Sequence, residues 1–163
     1  KEVEGSWQGD TDGIYVDVFK MDNVPSSKFK AYYQYLLGKY HLSYMLSQRK
    51  YPTASFKKRL LMALSFPLKL NCIRNWVVGQ IEKYNNQETE YYGFFYGRTR
   101  FHSSVISKSV FGRPTYVTFE DTEFPVAEEW HMYLTQVFGD YMKMPPEEQR
   151  QSLHLLSVDF GRY

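Results

Sequence analysis

The stretch Gly13-Ile14-Tyr15-Val16-Asp17-Val18-Phe19-Lys20-Met21-Asp22 is expected to organise the fold, because it has the alternating pattern of a short buried strand. Alternation gives the strand two faces, one with Ile14, Val16 and Val18 and the other with Tyr15, Asp17 and Phe19. Asp17 therefore shares a face with two aromatic rings. Burying an ionised carboxylate there costs several kcal/mol unless it is paired, hydrogen-bonded or bound to a metal.

Two interpretations of Asp17 stay open on the residues alone. It is either a metal ligand carried on a strand, or an acid that is held by backbone donors or exposed on an edge strand. The second acid, Asp22, lies in the turn-rich segment Met21-Asp22-Asn23-Val24-Pro25. An Asx-type turn, or a cap on the following helix, is the expected role of Asp22.

The bulk composition favours one domain, residues 1–163, with a sizeable core. Its 43% hydrophobic and 23% charged residues exclude a disordered or membrane-spanning chain, and a net charge of +2 gives no argument for nucleic acid. The single cysteine, Cys72, excludes an internal disulfide, fits a reducing compartment, and is expected to be an inert core thiol. The chain begins at Lys1 without an initiator Met or a signal-peptide pattern, so we expect a fragment.

Apolar spacing predicts three helices between residues 26 and 85. The first extends from Ser26 or Ser27 to about Ser47, with a core-facing stripe of Phe29, Tyr32, Tyr33, Leu36, Leu37, Tyr40 and Tyr44. Pro67 is expected to break the second helix. The apolar side predicted for the third helix consists of Leu68, Cys72, Trp76 and Ile81.

Positive charge concentrates around the second helix, in Arg49, Lys50, Lys57, Lys58, Arg59 and Lys69. A solvated face is the simpler interpretation. The alternative is a surface for anionic lipid heads or a polyanionic glycan, since basic residues beside a membrane each gain about 1 kcal/mol.

From Glu90 onwards the pattern changes to short strands, expected at Tyr91–Tyr96 and Thr115–Phe119. A basic connection with little periodicity joins them, either solvated or able to grip phosphate. A helix is predicted after Pro125, with Gly139 just past its end and His131 on its surface side. Gly-rich phosphate loops, dinucleotide fingerprints, His-Glu-x-x-His and Gly-x-Ser-x-Gly motifs are absent from the sequence.

The C-terminal third carries the segments Phe119-Glu120-Asp121-Thr122-Glu123-Phe124-Pro125-Val126, Trp130-His131-Met132-Tyr133-Leu134, and Phe138 to Arg150 with His154. Together they resemble the C-terminal signature of the LicD family of phosphocholine transferases. The opening stretch resembles the family's middle motif, an apolar strand with an Asp, a Phe and a second Asp, here Asp17, Phe19 and Asp22.

The resemblance implies an α+β, partial nucleotidyltransferase-like fold, with a small sheet packed against amphipathic helices. It implies transfer of phosphocholine, or a similar phospho-substituent, from a CDP-choline-like donor to a sugar of a surface glycan or lipopolysaccharide, with Mg²⁺ or Mn²⁺ as cofactor. Asp17 matches the acid that such enzymes use for metal binding and catalysis.

The family's upstream half, with its Asp cluster, has no counterpart here, and Asp10 and Asp12 are not accepted as substitutes because their loop lacks the strand pattern. We therefore expect a catalytically incomplete C-terminal portion, because a lone Asp holds Mg²⁺ poorly. Self-association that covers the exposed core is a further expectation.

Five tail residues belong to the resembling motif: Asp140, Tyr141, Lys143, Arg150 and His154. They either line the acceptor or phosphate side of a cleft or form a C-terminal clasp. Glu120 is either a supporting acid of the site or a strand-end partner of Arg113.

The competing function is a non-enzymatic, aromatic-rich module that binds a glycan or a protein. The expected location is the cytoplasm, with peripheral contact at the inner membrane face left open.

Overall fold

The computed structural model describes residues 18–48, 55–97, 99–144, 146 and 150. The chain separates into two compact units, Phe19–Asp140 and a second formed by Lys1–Val18 with Tyr141–Tyr163. All helices and strands of the described residues belong to the first unit. Its mixture of helices and small antiparallel sheets confirms the predicted α+β class, while a single domain spanning 1–163 stays a prediction.

The helices of the described residues are α1 (Lys28–Gln48), α2 (Phe56–Leu64), a 3₁₀ helix (Phe66–Lys69), α3 (Asn71–Ile81), the single turns α4 (Phe101–Ser104) and α5 (Lys108–Phe111), and α6 (Trp130–Phe138). The strands are β1 (Asp22–Val24), β2 (Tyr91–Gly93), β3 (Val105–Ser107), β4 (Thr115–Phe119) and β5 (Thr122–Val126). They form an antiparallel sheet in the order β1-β2-β3 and a separate β4-β5 hairpin.

The predicted opening strand is wrong over its described residues. Residues 13–17, which include Asp17, lie outside the described residues, and 18–21 are not strand. Val18 is 91% exposed. Pairing with β2 begins only at Asp22, opposite Gly93, so the four residues before it lack the ladder that a strand requires.

The long helix is confirmed as α1, but the predicted aromatic stripe is wrong in its N-terminal half. Phe29 is 83% exposed, and the residues that α1 buries are Ala31, Gln34 and Gly38. A Cβ at position 38 would overlap the side chain of Phe95. Position 38 therefore requires a glycine, because the fully buried Phe95 ring occupies the space beside it.

The core cluster consists of Val24, Ala31, Leu68, Val77, Ile81 and Phe95. α2 ends at Leu64, and Pro67 lies in the first turn of the 3₁₀ helix that follows, in agreement with the predicted break, and Leu68 of the 3₁₀ helix is buried. The predictions for Cys72 and Trp76 are wrong, since both are exposed. The buried face of α3 follows Val77 and Ile81, four residues apart, which turns Cys72 and Trp76 outwards.

The basic connection is more regular than predicted. It contains α4, β3 and α5, and β3 pairs with β2. Strand β4 is confirmed, but Pro125 lies in β5 opposite Tyr116, so α6 begins later than predicted, at Trp130. Gly139 follows α6 with a φ of 77°, as its predicted place past the helix end requires.

Candidate functional site

A buried polar cluster surrounds Asp22, the second acid of the family motif. Its side chain is 1% exposed on β1, so the predicted turn or cap is wrong. The Asn85 side-chain amide donates to Asp22 Oδ1 at 2.8 Å, and Lys20 Nζ lies 3.7 Å from the same oxygen. Lys20 also donates to Glu82 Oε1 at 2.5 Å. Asp22 therefore belongs to a network that joins β1 to the end of α3.

Asn85 fixes the backbone of β1 as well as the carboxylate. Its Oδ1 accepts from the Asn23 N–H at 2.7 Å, and the Asn23 side chain donates to the carbonyls of Asn85 and Gln87 at 3.1 and 3.0 Å. Buried Gln34 donates to the carbonyls of Asn23 and Ile81 at 3.0 and 2.6 Å. Strand β1 is thus held in place by the side-chain amides of Asn85 and Gln34 and by that of its own residue Asn23.

Burial raises the pKa of Asp22, against the opposing effects of the Asn85 hydrogen bond and the Lys20 charge. The hydrogen bond to Glu82 raises the pKa of Lys20. Burial, together with the charges of Asp22 and Glu82, raises the pKa of Tyr96 to about 12. Asp22 Oδ2 is buried and has no hydrogen-bond partner within the described part of the chain. This carboxylate suits a positioning role, because it is fixed and shielded from solvent.

The described residues do not fit a divalent metal by themselves. Within them, no group of three His, Cys, Asp or Glu side chains comes together, and the Lys20 ammonium lies beside Asp22 where a cation would compete with it. Asp17 lies outside the described residues. Its role as metal ligand and catalytic acid therefore stays a prediction.

The tail residues fall in both units. Asp140 ends the first unit and is exposed. In the second unit Tyr141 is half-buried, Lys143 and Arg150 are exposed, and His154 lies outside the described residues. Their predicted place in a cleft stays a prediction.

Glu120 lies in the turn between β4 and β5, exposed and with a φ of 55°. The backbone N–H of Arg113 donates to Glu128 at 2.9 Å. This hydrogen bond joins the Arg113 backbone to Glu128, and both predicted roles of Glu120 stay predictions.

A second feature is an apolar cavity of about 560 Å³ between α5, the hairpin and α6. It is lined by Phe111, Val117, Val126, Ala127, Trp130, Tyr133 and Leu134. The Phe111 and Tyr133 rings meet at 60° with centroids 5.7 Å apart, and Trp130 is 42% exposed. Three aromatic rings therefore line this cavity.

The cavity is linked to strand β1 by side-chain and strand contacts through β2. The Phe111 ring lies 5.6 Å from the Tyr92 ring, and Tyr92 pairs with Asn23 beside Asp22. Sequence reasoning missed this cavity, although Trp130 and Tyr133 stand in the resembling segment. The available signal was charge, since residues 114–142 carry six Asp and Glu and no Lys or Arg.

No helix among the described residues is long and apolar enough to cross a membrane. No family model matches the chain, and no solved structure matches it, so the nucleotidyltransferase-like core stays a prediction.

Among curated proteins, the chain is similar to lipopolysaccharide cholinephosphotransferase LicD of Haemophilus influenzae. The two are 31% identical over an alignment of 151 residues that covers 87% of this chain and 55% of that protein. The chain thus spans about half the length of the relative it matches. Identity at this level over most of the chain agrees with the motif around Asp22 and with the C-terminal segments, and the chain belongs to the LicD family.

Proposed function

We propose that the protein transfers phosphocholine, or a similar phospho-substituent, from a CDP-linked donor to a sugar of lipopolysaccharide or another surface glycan. The observation that carries this proposal is the 31% identity, over 87% of the chain, to a lipopolysaccharide cholinephosphotransferase. The aromatic cavity supports it from an independent direction.

The cavity is suited to the trimethylammonium group of choline. Quaternary ammonium groups are bound by aromatic rings, whose negative faces attract the cation, and here Phe111, Trp130 and Tyr133 supply the rings. Its volume of about 560 Å³ lies within the range of ligand sites, and its apolar lining fits the methyl groups of the cation, while the phosphate would lie outside it.

The charge around the cavity also favours a cation. Glu128 and Glu129 stand between the lining residues Ala127 and Trp130 in the chain. No Lys or Arg occurs from residue 114 to 142. These acids favour a cation over an uncharged apolar ligand, and the nearest cations in the chain are Lys108 and Arg113 on either side of the lining residue Phe111.

In this proposal Asp17 is the catalytic acid and metal ligand. Asp140, Tyr141, Lys143, Arg150 and His154 would meet the acceptor or phosphate. Dependence on Mg²⁺ or Mn²⁺ rests on Asp17 and on the family, because the described residues do not form a metal site.

The decisive assay uses the full-length protein with CDP-choline, Mg²⁺ and lipopolysaccharide, and measures CMP release. Asp17→Asn should lower kcat at least about 100-fold without loss of folding, because charge stabilisation at the phosphate contributes on that scale. Asp10→Asn is the matched control and should keep activity. Full activity of Asp17→Asn would overturn the assigned role.

The cavity is tested by the KM for CDP-choline. Trp130→Leu and Tyr133→Leu should raise it about 2- to 30-fold, the range that one cation–π contact spans. Phe138→Leu replaces an exposed ring outside the cavity and should leave KM unchanged. Binding of choline without any CMP release would favour the non-enzymatic module instead.

A further inference from the structure

We propose that α2, the 3₁₀ helix and the start of α3 form an interfacial surface that lies on an anionic phospholipid bilayer. This interfacial surface is defined by two groups of exposed side chains. The apolar group is Phe56, Leu60, Leu64, Phe66, Leu70 and Trp76, and the basic group is Lys57, Lys58, Arg59 and Lys69. The inference does not depend on which group the enzyme transfers.

The apolar group is exposed far beyond what a monomer's surface helix usually shows. None of the nine residues of α2 is buried, and Phe56 is 76% exposed. Phe66, in the next turn, is 66% exposed. Exposed apolar side chains concentrated in one part of the chain are typical of a surface that contacts a membrane or another protein.

The charge of this part of the chain selects the partner. Between Asp22 and Glu82 the sequence has ten Lys and Arg and no Asp or Glu, while the remainder has ten and eighteen. The net charge of +2 hides this separation. Basic residues beside exposed Phe, Leu and Trp are the pattern of helices that lie in a membrane interface.

A cavity of about 360 Å³ adjoins α2 and has the chemistry of a lipid headgroup seat. Lys39, Lys58 and Arg100 are among its lining residues, together with apolar Leu61 and Met62 of α2. Lys39 donates to the Gly97 carbonyl at 2.5 Å and lies 4.8 Å from the Tyr35 ring centroid. The three cations suit a lipid phosphate, and the apolar lining residues suit the start of its acyl chains.

Other occupants explain only half of these observations. A polyanionic glycan would use the cations and leave the apolar group exposed to water. A second copy of the chain would bring two acid-free surfaces together, and their like charges would repel. A bilayer with anionic lipids satisfies both groups at once.

The test is sedimentation of the chain with vesicles of phosphatidylcholine alone or with 30 mol% phosphatidylglycerol as the probe (a chosen composition). We expect binding to the anionic vesicles only. Lys57→Gln with Lys58→Gln should weaken it about 10- to 30-fold, since each basic residue near the surface contributes about fivefold. The matched pair Lys83→Gln with Arg113→Gln removes the same charge elsewhere and should leave binding within about twofold.

Equal losses in the two pairs would overturn the proposal, because any positive charge would then serve. The apolar group is tested separately by Phe56→Ser with Leu64→Ser, which should weaken binding at high salt as well as at low salt. An unchanged affinity would overturn it in favour of a polyanion that uses cations alone.

A second measurement locates the surface in protein that is bound to the vesicles. Brominated lipids should quench the fluorescence of Trp76, and the quenched fraction should fall in Trp76→Phe. Quenching that is unaffected by that substitution would contradict the placement of the surface, and so would lipid-free dimerisation that Phe56→Ser abolishes.

Discussion

Between Asp22 and Glu82 the chain has ten Lys and Arg and no acid, whereas between Arg113 and Lys143 it has six Asp and Glu and no Lys or Arg. The first stretch builds the helical layer, with apolar side chains exposed on α2. The second builds the hairpin and α6 around an aromatic cavity. The net charge of +2 therefore conceals a basic stretch and an acidic stretch, and the two proposals above assign an anionic ligand to the first and a cationic ligand to the second.

The two acids that bracket the basic stretch meet again in space. Asp22 and Glu82 both lie beside Lys20, and Asn85 is bonded to Asp22. The helical layer, which consists of α1, α2, the 3₁₀ helix and α3, therefore begins and ends in the chain at this polar cluster. The polar cluster around Asp22 and the Phe95 ring connect these helices to the sheet.

The largest effect is expected for Phe95→Ala. This ring is fully buried between Gly38 of α1 and Gly93 of β2. Its loss should lower the free energy of unfolding by about 3–5 kcal/mol, since it leaves a cavity where the helical layer meets the sheet. Urea denaturation followed by circular dichroism measures this.

Phe124→Ala, on the exposed hairpin, is the control for Phe95→Ala and should cost about 1 kcal/mol or less. Similar losses for the two variants would mean that Phe95 does not join the two layers.

The next effect is expected at the glycines of the helical layer. Gly38→Ala should destabilise the protein by about 1–3 kcal/mol, because the added methyl group overlaps Phe95. Gly79→Ala in α3 is its matched control, since nothing lies within 4 Å of the position of its Cβ. It should stabilise by about 0.5–1 kcal/mol, as Ala favours a helix more than Gly does. Thermal unfolding of both variants gives the comparison, and the same sign for both would contradict the packing of α1.

Asp22→Asn tests the burial of Asp22 in the polar cluster through the pH dependence of the free energy of unfolding. Burial raises the folded-state pKa of Asp22 above its ordinary value of 3.8, so the folded state holds this proton more tightly than the unfolded state. Its contribution to stability is therefore largest below pH 3.8 and is lost as pH rises through the folded-state pKa.

Asp22→Asn should remove that part of the pH dependence of stability. Urea denaturation between about pH 3 and 8 measures it, because this range includes the ordinary carboxyl pKa of about 4. Asp121→Asn, exposed next to the hairpin turn, should leave the profile as it is. A profile of Asp22→Asn identical to that of the wild type would show that Asp22 is not buried in solution.

The smallest effect is expected for Glu82→Gln, which breaks the ion pair with Lys20 and keeps the Lys20 cation beside Asp22. The Lys20 side chain is 60% exposed, so the pair should contribute only about 0.2–1 kcal/mol. Denaturation at low and high salt should give a difference that shrinks with salt. A loss above about 2 kcal/mol would mean that the pair is shielded from water.

Local signals in the sequence predicted several elements correctly. The spacing from Lys28 to Gln48 predicts α1, alternation predicts β4, and Gly139 marks the end of α6. These features depend on neighbours in the chain, which the sequence displays directly.

The remaining features depend on partners distant in the chain. Which face of α1 is buried is decided by Phe95, and Asp22 becomes a strand residue because Gly93 pairs with it. Asn85 is the hydrogen-bond partner of Asp22 because the chain returns to β1 after α3. No local pattern carries that information.

The aromatic cavity shows the same limit for function. Phe111, Val117 and Trp130 lie on three elements, and only their packing creates the space between them. The segment 114–142 without Lys or Arg was visible in the sequence, but its meaning depends on the cavity that it surrounds.

The most direct test of this division is one calorimetric comparison of two variants against two ligands, CDP-choline and phosphatidylglycerol vesicles. Trp130→Leu should weaken CDP-choline binding and keep vesicle binding, while Lys57→Gln with Lys58→Gln should do the reverse. If either variant lost both ligands while remaining folded, or if neither lost one, the assignment of the two regions to a choline cation and an anionic membrane would be contradicted.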